Sequence, residues 1–549
     1  MRERVRGDGI TVQVVAGTYV VLIGASVDPD RVDGLLGFSI ERTDHTEGEQ
    51  GYLLNNLLFE RNGVGRAPDF STEFNPVQAF VWGDYTAKPG HTYTYAVTAR
   101  YGTPSRLKRG PQVAARVTTE DPDDGAHGVF FNRGVAASAA YERRFGEVKP
   151  GDVPNREAYR WLSRGLEEAI VGFIGRAVDE RYSLRAAMYE FEFESVLDAF
   201  RVAHDAGADV RIVYDKVKSK STGEQNVMAI KKARINRLAT ARTKINIAHN
   251  KFVVLLEDGV PIEVWTGSTN ITEGGIFGHA NVGHRLRDRR TAERYLSYWN
   301  ELAKDPGRGD MKAFDDPTPK FPNGRPSGRL TSIFSPRSSF DSLEWYVRMA
   351  ESASQGVFLT AAFGLQPEIA PVFEDDRDYL RYLLLDTEKG SVEALRRDPD
   401  NIVSAGGYKG RGAYRAWIAK ALRHLNRLDY VHTKFMLIDP LTDDPLVITG
   451  SANWSGESNK VNDENVLVIR GETRTADIYL TDFMRIFNHY RLRAKAKTPA
   501  TQPAVGPGTP QAANRARIHL QPNDSWATPF YVDDSPEAKE RKLFSGATT

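Results

Sequence analysis

The stretch Val431-His-Thr-Lys-Phe-Met-Leu-Ile-Asp-Pro440 carries the pattern on which the fold and the chemistry of this chain turn. It spells HxKxxxxD, with His432, Lys434 and Asp439 as its polar members. Side chains alternate sides along a β-strand, so a strand here places His432 and Lys434 on one face. After a turn and a second strand, Leu446 to Thr449, comes Gly450-Ser-Ala-Asn453. An earlier part of the chain repeats the series: His249-Asn-Lys-Phe-Val-Val-Leu-Leu256, a turn at Asp258-Gly259, a strand from Ile262 to Thr266, then Gly267-Ser-Thr-Asn270. The separation from His to Gly is 18 residues in both. The repeat extends outward. Val210-Arg-Ile-Val-Tyr-Asp215 matches Arg381-Tyr-Leu-Leu-Leu-Asp386, and in each half a basic, helix-like stretch leads from there to the His-x-Lys strand. Alternating helices and strands argue for an α/β architecture, and so long a repeat argues for two such layers about a pseudo-two-fold axis.

At 549 residues the chain exceeds the usual size of one domain. Residues 1–121 read as an all-β sandwich: short β-rich runs such as Thr11 to Ile23, Gln78 to Gly83 and His91 to Arg100 are separated by turn residues. The segment Lys88-Pro-Gly-His-Thr-Tyr-Thr-Tyr-Ala-Val-Thr-Ala-Arg100 resembles the penultimate strand of a fibronectin type III sandwich, with Tyr93 in the place of its tyrosine corner. The first α/β half is expected over 122–304, with helical spacing from Asn155 to Val178 and from Glu194 to Ala206. A Pro/Gly-rich linker follows over 305–330, then the second half over 331–497 and an extended or disordered tail over 498–549, with Trp526 to Val532 a candidate to tuck against the body.

Composition narrows the chemistry. Without cysteine there is no disulfide, no thiolate metal site and no cysteine nucleophile. A net charge of +1 means that any nucleic-acid surface is local. No apolar run approaches the ~20 residues that span a bilayer, and no secretory signal follows Met1, so a cytoplasmic protein that is not integral to a membrane is expected.

Two HxK…GSxN units in one chain resemble the phospholipase D superfamily, whose members carry two such motifs meeting across an internal two-fold axis. The resemblance covers residues from about 125 to 495. It implies a phosphodiesterase that works through a phosphohistidine and needs no metal or other cofactor. The chemistry also follows from the residues. Displacing an alkoxide from phosphorus needs a nucleophile, an acid for the leaving oxygen and donors for the equatorial oxygens. Two imidazoles can share the first two roles because they titrate near neutrality. Lys251 and Lys434 supply positive charge, and Ser268, Asn270, Ser451 and Asn453 are expected to donate to phosphoryl oxygens. In several relatives the histidine of the N-terminal half attacks, which implies His249 as nucleophile and His432 as acid and base.

The halves are not equivalent. Glu464 stands where relatives place a histidine-orienting Glu, whereas the matching position of the first half is Asn281. Asp439 is matched by Leu256; the tyrosyl-DNA phosphodiesterases resemble this chain in lacking that Asp, which fits a turn-stabilising role. His279 and His284, after the first GSxN, could line the site or pack.

The substrate is less legible. Lys216 to Lys251 holds ten basic residues against Glu224 alone, and Arg396 to Lys434 holds nine against three acidic. Clusters of this kind beside both motifs favour nucleic acid over phospholipid, unless they are solvated helix faces. A phospholipase D acting on lipid headgroups is the alternative, with Gly275-Ile-Phe277 and Pro529 to Val532 as its candidate apolar loops. A third reading is a binding protein whose N-terminal sandwich recruits a protein partner and whose α/β part is degenerate. Both motifs lie in one chain, so no dimer is needed to complete the site.

Overall fold

The computed structural model describes residues 1–60, 70–134, 138–146, 148–217, 221–386, 392–405, 431–495 and 519–547. It divides into two units, one of residues 1–121, 378–380 and 477–549, the other of 122–377 and 381–476. No helix among the described residues is long and apolar enough to cross a membrane.

The first unit holds two four-stranded antiparallel sheets. One runs Arg2–Gly7, Ile10–Ala16, Val21–Val27, Val81–Asp84 in spatial order; the other runs Glu49–Tyr52, Gly37–Asp44, Thr92–Thr103, Arg106–Thr118. Alternation along the strands turns Val12, Val14, Ile23, Phe38, Ile40, Tyr95, Val97 and Val117 into a common core. Tyr93 is buried, and its hydroxyl accepts the Lys88 amide at 2.9 Å, pinning the turn that precedes its strand. Tyr93→Phe removes that acceptor and is expected to cost about 1 kcal/mol. A lowered urea midpoint checks this, and an unchanged midpoint refutes it.

The expected extended or disordered tail is corrected over residues 519–547, where the tucking expected of Trp526 is found. Residues 519–547 are built into the first unit, and Trp526 and Ala527 belong to its core. Trp526 stacks on Phe80 with centroids 5.1 Å apart and donates its indole N–H to the Leu35 carbonyl at 2.8 Å. The helix Pro536–Ser545, capped by Ser535, lies so close to Gly24 that a Cβ there would overlap the Phe544 carbonyl. The Pro- and Ala-rich composition that suggested disorder belongs to residues before 519, outside the described ones; beyond it the aromatic residues have apolar surface to bury.

The second unit contains two seven-stranded mixed sheets of identical order. The first is Ala239–Arg242, Asp209–Asp215, Tyr182–Met188, Lys251–Glu257, Val260–Gly267, Val282–Leu286, His127–Phe131. The second is Asn401–Ala405, Leu380–Leu385, Gly356–Ala361, Phe435–Ile438, Leu446–Gly450, Glu464–Arg470, Leu330–Ser335. Strand for strand the repeat is exact in order. Strands buried on both faces, such as Phe435–Ile438, read as unbroken apolar runs.

Two local expectations change. The helical stretch Asn155 to Val178 is two helices, Glu157–Ser163 and Leu166–Ile174, because Arg164 and Gly165 take left-handed backbone between them. The expected linker carries a helix, Arg308–Asp315, which buries Met311.

Candidate active site

The strands that follow the two His-x-Lys motifs are the fourth of seven in their sheets; His249 stands two residues before Lys251–Glu257 and His432 three residues before Phe435–Ile438. Main-chain bonds then cross from half to half. The His249 amide donates to the Asp463 carbonyl (3.0 Å) and the Asp463 amide to Ile247 (3.0 Å); the His432 amide donates to Ala280 (3.1 Å). Asp463 precedes Glu464 and Ala280 precedes Asn281, so each crossing carries an orienting side chain of one half to the histidine of the other. Arg242, fully buried, ties the halves further through Asp463 (2.8 Å) and also binds Asp305 (2.9 Å).

His249 Nδ1 lies 2.8 and 3.0 Å from the two carboxylate oxygens of Glu464. His432 Nδ1 lies 2.9 Å from Asn281 Oδ1. The identity of that oxygen is set by its neighbours, since Asn281 Nδ2 donates to the Gly275 carbonyl (2.8 Å). Both partners are acceptors, so both imidazoles carry hydrogen on Nδ1 and present Nε2 as the basic nitrogen. Lys251 and Lys434 each donate to the carbonyl of the histidine two residues earlier, at 2.6 Å in both halves. Burial lowers His249 to about 4, with Glu464 opposing it and Lys251 and Lys434 adding to it. Burial and both lysines also hold His432 well below its ordinary value. Burial likewise brings Lys251 down to about 8. Since each lysine acts on both imidazoles, the two motifs form a single electrostatic centre.

The serines take a different role from the one expected. Ser268 Oγ donates to Asn281 Oδ1 (2.8 Å) and accepts the Val282 amide (3.1 Å); Ser451 Oγ donates to Glu464 Oε2 (2.7 Å) and accepts the Asn465 amide (3.0 Å). A hydroxyl has one hydrogen, and here it holds the orienting residue. The motif glycines serve the same contact. A Cβ on Gly267 or Gly450 would overlap the carbonyl of Val282 or Asn465, each 15 residues on. Asn270 donates to Glu190 Oε2 at 2.5 Å, while Asn453 has no such carboxylate among its described partners. Asp439, at positive φ, accepts the amides of Ser354 and Gln355 and binds Arg325 (2.6 Å), at the far end of the strand from His432.

Several contributors were not singled out from sequence. Asp215 and Asp386 were read as the ends of matching strands, yet each accepts the amide of the residue before its histidine, Ala248 at 2.8 Å and Val431 at 3.3 Å. Their shared place in the repeat was the available signal. The Tyr189 ring packs on His249 at 4.8 Å, and Asn465 joins Asn250, Thr266 and Tyr295 at the junction of the halves. His279 lies 5.9 Å from the His432 ring, whereas His284 is buried against His127 at 2.9 Å. Among the described residues, the grouping able to offer three metal ligands is Asp44, Glu47 and His91 in the first unit; His91 pairs with Asp44 and Lys88 with Glu47.

Of the first basic run, Arg242 and Lys251 are buried and committed, while Lys216, Lys231, Lys232, Arg234, Arg237 and Lys244 are exposed. Most of the second run lies outside the described residues. The apolar segment Gly275–Phe277 is buried.

Burial depresses His127 and His249 to about 4, and holds His284 and His432 well below the ordinary histidine value. A folded-state pKa below the unfolded value gives stability that is present above the unfolded pKa and lost as pH falls through the folded one. The expected window is therefore between about pH 6.5 and 4, where the unfolded chain takes up protons that these rings refuse. Urea midpoints at pH 7 and pH 5 check this; equal midpoints would contradict it.

The family described as cardiolipin synthase, PLD-like domain, matches residues 172–303 and again 375–487, one match in each half. Over 69 residues the chain is 35% identical to the mitochondrial cardiolipin hydrolase of Mus musculus, covering 13% of this chain and 29% of that protein, so it spans less than a third of that relative. Solved structures similar to it include phosphatidylserine synthase from Haemophilus influenzae (13% identity, 60% of this chain, 85% of that one, TM-score 0.41). Another is polyphosphate kinase from Porphyromonas gingivalis (12% identity, 65% of this chain, 52% of that one, TM-score 0.40). A domain match in each half, with the two repeated motifs joined in one centre, shows that the chain carries a PLD-like domain of the cardiolipin synthase type in both halves of its repeated part.

Proposed function

We propose that the chain is a phosphodiesterase that cleaves single-stranded nucleic acid through a phosphohistidine on His249. The observation that carries the reaction is the unequal pair of Nδ1 partners. Attack by His249 Nε2 on phosphorus leaves a phosphorylated imidazolium, a cation that the Glu464 carboxylate 2.8 Å away stabilises. His432 bonds to the neutral Asn281 amide, so its imidazolium has no such support and gives its proton to the leaving oxygen readily. The now neutral His432 takes a proton from water, whose oxygen attacks phosphorus; the P–N bond breaks and His249 is regenerated. Lys251 and Lys434 stabilise the phosphoryl oxygens, and Asn453 is the better placed of the two motif asparagines to donate, since Glu190 holds Asn270.

Nucleic acid is favoured by the six exposed cations between Lys216 and Lys244, set against the burial of Gly275–Phe277, which a lipid-facing loop would expose. Phospholipid is the second reading, favoured by the cardiolipin named in the family description and in the mouse relative. The N-terminal unit, with two four-stranded antiparallel sheets around one core and the Tyr93 bond, is compatible with a fibronectin type III-like module, and as such would serve a protein partner. Full-length protein and His249→Ala would be incubated with single- and double-stranded DNA, RNA and cardiolipin-containing vesicles, with EDTA present. Cleavage of single-stranded substrates by the unsubstituted protein alone is expected. Release of lipid headgroup only, a divalent-metal requirement, or activity in His249→Ala would overturn the reading.

A further inference from the structure

The segment after the strand Tyr182–Met188 runs along the first motif. Met188 lies opposite Lys251. Tyr189 then packs its ring 4.8 Å from that of His249, and Lys251 Nζ lies 5.1 Å from the tyrosine centroid. Beyond it the Ile271 amide donates to the Glu190 carbonyl (3.0 Å), and the Glu192 amide donates to the Ile271 carbonyl (2.8 Å). These bonds lock residue 190 against the end of Gly267-Ser-Thr-Asn270, where Glu190 Oε2 accepts Asn270 Nδ2 at 2.5 Å. The counterpart strand of the second half, Gly356–Ala361, continues as Ala362-Phe-Gly364 and brings no carboxylate. Glu190 is thus a charge that the repeat does not duplicate at this position.

Its field reaches both ammonium groups of the centre. Burial lowers Lys251 and Lys434, and Glu464 and Glu190 oppose that lowering at each of them. Glu192 feels it as well, raised by burial and then by Glu190. The two carboxylates that act on both lysines are placed differently. Glu464 is fully buried and committed to His249, Ser451 and Ser458. Glu190 is only half-buried, whereas the histidines and lysines of the centre are buried. A phosphate that reaches Lys251 and Lys434 therefore comes within the field of a carboxylate that is no part of the histidine clasp.

Substrate and product differ in the charge they bring to that field. A phosphodiester carries one negative charge. When water breaks the P–N bond, the retained group leaves as a phosphomonoester, whose second proton is lost at about pH 6, so it is close to a dianion at neutral pH. Coulomb energy follows the product of the charges, and a fixed carboxylate repels the dianion about twice as strongly as the monoanion. We propose that Glu190 is a specificity residue that discriminates by charge, admitting the monoanionic diester and expelling the dianionic monoester. The inference rests on the proposed phosphodiesterase reading, and holds whether the alcohols of the diester belong to nucleic acid or to lipid. Through Asn270 the same carboxylate also keeps a motif asparagine in place, so charge and bond must be tested apart.

The experiment compares the full chain with Glu190→Gln, which keeps an oxygen for Asn270 and loses the charge, and Glu190→Asp, which keeps the charge. Dissociation constants of phenyl phosphate and diphenyl phosphate are taken from calorimetry or from inhibition of bis(p-nitrophenyl) phosphate hydrolysis. At about pH 8, Glu190→Gln is expected to tighten phenyl phosphate about tenfold more than diphenyl phosphate. At about pH 5 the monoester is also a monoanion, and the ratio of the two constants should be the same in both proteins. Glu190→Asp should keep the unsubstituted ratio at both pH values. An unchanged ratio in Glu190→Gln at pH 8, or equal tightening of both ligands, overturns the inference alone. If the unsubstituted protein neither binds the two ligands nor hydrolyses bis(p-nitrophenyl) phosphate, the phosphodiesterase reading falls and this one with it. A thermal melt of each variant separates loss of the fold from loss of the charge; if Glu190→Gln is unfolded, Glu190→Ser replaces it.

Discussion

His432→Ala is expected to release about one equivalent of p-nitrophenol from bis(p-nitrophenyl) phosphate and then stall, whereas His249→Ala releases none. A p-nitrophenolate leaves without needing a proton, so the first step survives the loss of the acid. The second step does not, because the same imidazole must take a proton from the attacking water. The p-nitrophenyl phosphoryl group then stays on His249 Nε2, where acid-labile p-nitrophenyl phosphate released from the denatured protein reports it. On an ordinary alkoxide leaving group, both substitutions should lower kcat by roughly four orders of magnitude. A burst from His249→Ala and none from His432→Ala would exchange the two roles. Glu464 acts through His249, so Glu464→Gln should slow the burst about 10- to 100-fold without changing its amplitude. An unchanged burst rate would remove the carboxylate from the mechanism.

Arg242→Ala is expected to destabilise the second unit by about 3–5 kcal/mol, because it strands the carboxylate of Asp463 in the interior. The guanidinium is fully buried, with Asp463 at 2.8 and 3.3 Å and Asp305 at 2.9 Å. A melting temperature lower by roughly 10 °C is the calorimetric signature. Part of that loss belongs to the unpaired charge and not to the missing contact, so Arg242→Met combined with Asp463→Asn should recover much of it. Failure of the double variant to recover would mean that packing around Arg242, not charge, dominates. Activity should fall along with stability in Arg242→Ala, since the main chain of Asp463 receives the His249 amide and leads directly to Glu464.

The legible part of the fold was the part written in short periods. The apolar run at Phe435–Ile438 announces a buried strand, and equal spacing from His249 to Gly267 and from His432 to Gly450 announces equal hairpins. Residues 526–532 were legible as a segment that tucks against the body, but the helix after them and the partner of Trp526 were not, because composition says nothing of Phe80 nearly 450 residues away. The helix break at Arg164–Gly165 was hidden for a different reason. An apolar period continues across it, and only the left-handed backbone there separates two helices.

Within the site the same division holds. Sequence alone determined the repeat, the two histidines, the two lysines and the inequality of Glu464 and Asn281, since each follows from residue identity at a fixed local spacing. Only the tertiary structure decided that the orienting residues cross over, Glu464 to His249 and Asn281 to His432. It also turned Ser268 and Ser451 from substrate donors into the clasps of those orienting residues. The physical reason is distance along the chain. Spacing records which side chains share a strand face, whereas the bond from His249 to Glu464 joins positions 215 residues apart, and depends on two sheets bringing their main chains within hydrogen-bonding reach.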